Sequence, residues 1–142
     1  MEFEHRHQLL GFVASLAFFG TYWIIVIARA ITDDVSFTKV AWQGPLLLMV
    51  GIGGALYAII YGAARWRVRG KIVTDERDAE ITRRSDAAGA GLTSMAALIA
   101  MIMLALNADT FWVVHVIFVG SFLGTVASAG MTVSAYTEGI ER

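Results

Sequence analysis

The chain has 142 residues, of which 57% are hydrophobic and 16% charged, with a formal net charge of −1 and a mean hydropathy of +0.64. Soluble domains are roughly 45–50% apolar and about 25% charged, so this composition excludes a disordered tail, a secreted disulfide scaffold and a free nucleic-acid binder. With no cysteine, thiolate metal sites and cysteine nucleophiles are excluded as well.

The apolar excess lies in four runs without Asp, Glu, Lys or Arg, at 8–28, 40–64, 87–108 and 110–137. Each exceeds the roughly 18–20 residues that cross a hydrocarbon core as a helix. The pattern predicts one all-α domain over 1–142, an integral membrane bundle of four transmembrane helices. The first run mimics a secretory signal, and Ala28-Arg29-Ala30 looks like a cleavage site. Its start, Glu2-Phe3-Glu4-His5-Arg6-His7, is not basic, and its apolar length exceeds the usual 7–15 or so of a signal, so a retained span is expected. The tail before it is expected to be flexible and solvated, with His5 and His7 as a weak metal-binding pair.

Pro45, the only proline, falls in the first turns of span 2, where a missing N–H costs little. Gly51-Ile52-Gly53-Gly54 follows no strand and lacks a Lys-Ser/Thr, so it is not a phosphate loop. Helices in lipid associate through close packing and shared hydrogen bonds rather than hydrophobic burial. Small residues four apart on one helix face let backbones approach. Gly54, Ala58 and Gly62 form such a face on span 2, and Gly120, Gly124 and Ser128 form another on span 4. Both are candidate helix-packing sites, within the chain or between chains.

The segment 65–86 between spans 2 and 3 is the hydrophilic centre. It carries Arg65, Arg67, Arg69, Lys71, Arg77, Arg83 and Arg84 against Asp75, Glu76, Asp78, Glu80 and Asp86. Basic residues accumulate on the cytoplasmic side, which predicts a cytoplasmic central loop and two cytoplasmic termini in a multi-pass protein of the inner membrane. Thr74 or Asp75 is a natural N-cap for a helix extending span 3 outward, and Glu80 to Arg84 is an i,i+4 pair in the favoured direction. The arginines Arg65, Arg67, Arg69, Arg77, Arg83 and Arg84 are candidate contacts for anionic lipid headgroups or a cytoplasmic partner. The third connection, Asn107-Ala108-Asp109, forces spans 3 and 4 into an antiparallel hairpin.

The segment Gly70-Lys71-Ile72-Val73-Thr74-Asp75-Glu76-Arg77-Asp78, with Ile81 and Arg83-Arg84-Ser85, resembles a family of small four-helix membrane proteins of bacteria and archaea. The likeness continues at Ala108-Asp109-Thr110-Phe111-Trp112 and His115, and covers roughly the C-terminal half. Family members carry a proline where Thr110 stands and end in a more basic tail than this chain's. The family has no established activity. Some of its members lie beside helix-turn-helix regulators, so the resemblance hints at a cytoplasmic regulatory partner. The same residues also have a purely structural reading, with Asp109 as an N-cap and Phe111-Trp112 as an interfacial anchor.

His115 is the one readily titratable side chain within a span. A polar group at that depth faces protein or a water-filled pocket and is a functional candidate by default. With Asn107 and Asp109 it defines a possible polar membrane site. The bland alternative, an imidazole bonded to a backbone carbonyl or to Asn107, is the preferred reading. No catalytic constellation is present, no metal cluster is specified and no cofactor is named by the sequence. The function expected is a non-enzymatic accessory, structural or regulatory membrane subunit. It would self-associate or dock on another membrane protein, with membrane lipids as further partners. The rival is a small oligomeric transporter or channel, weakened by spans that hold no Asp, Glu, Lys or Arg.

Overall fold

The computed structural model describes residues 2–67 and 76–138. Among them there is no strand. Four long helices follow one another: α1 (Glu2–Thr32), α2 (Gln43–Arg67), α3 (Glu76–Ala105) and α4 (Thr110–Glu138). Each contains a segment long and apolar enough to cross a membrane: Phe12–Thr32, Gln43–Ile60, Ala79–Ala105 and Thr110–Ala135. Large apolar side chains point outward along them, Ile31 at 75%, Leu47 at 72% and Met101 at 65% exposure. Soluble monomers rarely expose so much hydrocarbon, and the four long apolar helices suggest a multi-pass membrane protein.

The helices run past the charge-free stretches, because a helix does not stop where hydrophobicity stops. The helix expected to begin at 8 begins at Glu2, so the tail bearing His5 and His7 is helical rather than flexible. The extended backbone on which the metal-binding pair depends is therefore not the one these residues adopt. Most of the segment 65–86 is helical too, α2 continuing through Arg67 and α3 starting at Glu76. The proposed cap at Thr74 or Asp75 lies outside the described residues. Glu80 does reach Arg84, with Nε donating to Oε1 at 2.6 Å.

The described residues form two compact units, one spanning 13–67 and the other 2–12 with 76–138. In the first, α1 ends with Asp34 in the left-handed region at φ 49°, and Val35 N–H reaches back to the Ala30 carbonyl at 3.2 Å. A single 3-10 turn, Phe37–Lys39, follows. Val40 and Trp42 are buried, and the Arg29 guanidinium donates to the Ala41 carbonyl at 2.8 Å, tying the end of α1 to the approach of α2. This extended approach is why α2 starts at Gln43 rather than at 40. Within α2, the Phe18 ring of α1 lies over Gly53, 3.7 Å from where a Cβ would stand.

The second unit is built on the α3–α4 hairpin. α3 ends at Ala105, three residues before the apolar run does, in a Schellman arrangement. Asn107 takes φ 55°, its N–H bonds the Leu104 carbonyl at 3.0 Å, and Ala108 N–H bonds the Met103 carbonyl at 2.9 Å. Asparagine tolerates this conformation better than any β-branched residue. Asn107→Val is expected to lower stability by about 1–2 kcal/mol, read as a drop in the thermal midpoint in detergent, while Asn107→Gly leaves it unchanged or raised.

Candidate functional site

Two of the sequence-selected residues, Asp109 and His115, meet at the start of α4, and both act through Phe111. Asp109 is the N-cap: its Oδ1 accepts from the Phe111 N–H at 2.8 Å. Its carbonyl accepts from the Trp112 and Val113 N–H groups, so Thr110 occupies the first helical position, where proline is also favoured. One turn on, His115 Nδ1 donates to the Phe111 carbonyl at 2.5 Å, and its ring stacks on Phe111 at 3.9 Å between centroids. A carbonyl can only accept, so the bond places the proton on Nδ1. Phe111 and His115 are buried, at 1% and 3% exposure. Asn107 remains an exposed turn residue. Trp112, edge-on to Phe111 at 5.0 Å, projects outward and suits the membrane interface.

This arrangement is a helix start reinforced from both sides. Among the described residues no group of three His, Asp or Glu gathers as a metal site. The chemistry on view is hydrogen bonding and packing.

The small-residue faces have different surroundings. On α4, Gly124 lies against α3: a Cβ there would stand 2.6 Å from both the Gly89 carbonyl and the Thr93 hydroxyl. Reciprocally, a Cβ on Gly89 would stand 2.7 Å from the Gly124 carbonyl and 3.2 Å from Ser128 Cβ. A Cβ on Gly120 would overlap Ala96 Cβ. The two backbones are therefore in direct contact, the geometry in which Cα–H groups approach carbonyls across a helix pair. Thr93 returns its hydroxyl to the Gly89 carbonyl at 3.1 Å and Thr132 to the Ser128 carbonyl at 3.0 Å, hiding their polarity within their own helices.

The α3 half of this contact, Gly89, Thr93 and Ala96, carried no motif in the sequence reading. Its spacing of three and four residues was the available signal. On α2, by contrast, Gly54, Ala58 and Gly62 are exposed, and no atom stands within 4 Å of where a Cβ would be at Gly51, Gly54 or Gly62. Of the arginines, Arg83 and Arg84 are exposed on α3. Arg69 and the side chains of Arg65, Arg67 and Arg77 lie outside the described residues.

Comparison with protein-family models, curated proteins and solved structures finds no match.

The contact at Gly120 gives a direct test. Gly120→Ala is expected to cost about 1–3 kcal/mol by overpacking against Ala96. Ala96→Gly should recover part of that loss, with a coupling energy of about 1 kcal/mol in a double-mutant cycle of unfolding in detergent.

Proposed function

We propose that the chain is a non-enzymatic accessory, structural or regulatory subunit of the inner membrane, with four spans and both termini in the cytoplasm. Its α2 face is the surface that self-associates or docks on another membrane protein. One observation carries this reading: of the two small-residue faces, that on α4 is closed against α3, while that on α2 stands open. Small residues confer no benefit against lipid tails, since larger apolar side chains fill that space equally well. Their use is to let a second backbone come close.

The arginines flanking the spans support the orientation, because nine of the eleven basic residues fall on the side of the termini and of 65–86. The same residues, Arg83 and Arg84 among them, suit anionic headgroups or a cytoplasmic regulator of the kind the family resemblance implies.

Native mass spectrometry of the protein released gently from its own membrane tests the association. The wild type is expected as an oligomer or a heterologous complex, and Gly54→Leu with Gly62→Leu as a single folded chain. A wild-type monomer, or an assembly indifferent to both substitutions, overturns the reading. An assembly of this chain alone that conducts ions in vesicles would favour the transporter or channel. Joint replacement of Arg77, Arg83 and Arg84 by Gln is expected to lower the amount of co-purifying anionic lipid or of the cytoplasmic partner. Unchanged recovery of both would leave these residues a role in topology only.

A further inference from the structure

We draw no further inference here: the strongest candidate, the exposed small-residue strip of α3 through Ala87, Gly91 and Ser94, has no atom within 4 Å of where a Cβ would stand at Gly91, and nothing in the structure shows what covers it.

Discussion

The α3–α4 hairpin depends on backbone meeting backbone at Gly89 and Gly124, and on Ala96 fitting against Gly120. In hydrocarbon there is little hydrophobic gain in bringing two helices together, so the energy of the pair comes from contact at short range. That requirement fixes much else. Once these residues are opposed, the register of the hairpin is determined, Ser128 falls beside Asp86, and the outward faces are left to large side chains such as Leu98, Met101 and Ile102. It also explains the polar residues at the contact. Thr93 and Thr132 are small enough to sit between helices and discharge their hydroxyls onto their own carbonyls, at no cost to the approach.

The connection at the other end has only residues 106–109 in which to reverse the chain, and it leaves few backbone groups unserved. Asn107 and Ala108 N–H groups return to α3 carbonyls, and Asp109 takes up the Phe111 N–H. His115 then adds its Nδ1–H to the Phe111 carbonyl, using that oxygen's second lone pair. A histidine within a span invites a functional reading, but here its described bond is spent on the helix that carries it. α1 closes by a related device, with Asp34 in the left-handed position. Aspartate and asparagine, the non-glycine residues most at ease there, occupy both turns.

The four helices were legible in the sequence because each contains an uninterrupted charge-free run, and runs of that length have few other uses. Their ends were less legible. Glu2, Arg67 and Glu76 sit in helices although they lie outside the apolar runs, since a backbone helix continues into water wherever its hydrogen bonds can. The capping role of Asp109 could be read directly, because an acid before an apolar helix after a short turn has one obvious use. The other side of the α4 contact escaped notice. Its small residues, Gly89 and Ala96, are seven apart with Thr93 between them, so they do not form the plain four-residue repeat that marks α4. The burial of Ser85 was likewise invisible, since burial of one residue on an amphipathic stretch is decided by what packs against it.

The contrast between α2 and α4 shows why such faces cannot be interpreted from one helix alone. Gly54, Ala58 and Gly62 have the same spacing as Gly120, Gly124 and Ser128. The difference lies opposite them. α3 offers α4 a matching strip of Gly89 and Ala96, and the two backbones close. α1 offers α2 the flat ring of Phe18, which covers Gly53 at ordinary contact distance and leaves the strip through Gly54 uncovered. In water an uncovered apolar strip would carry a penalty that drives association. In lipid it carries almost none, and whatever occupies the strip must be held by packing. A partner for α2 therefore needs a small-residue face of its own, as α3 has for α4, and general hydrophobicity would not select it.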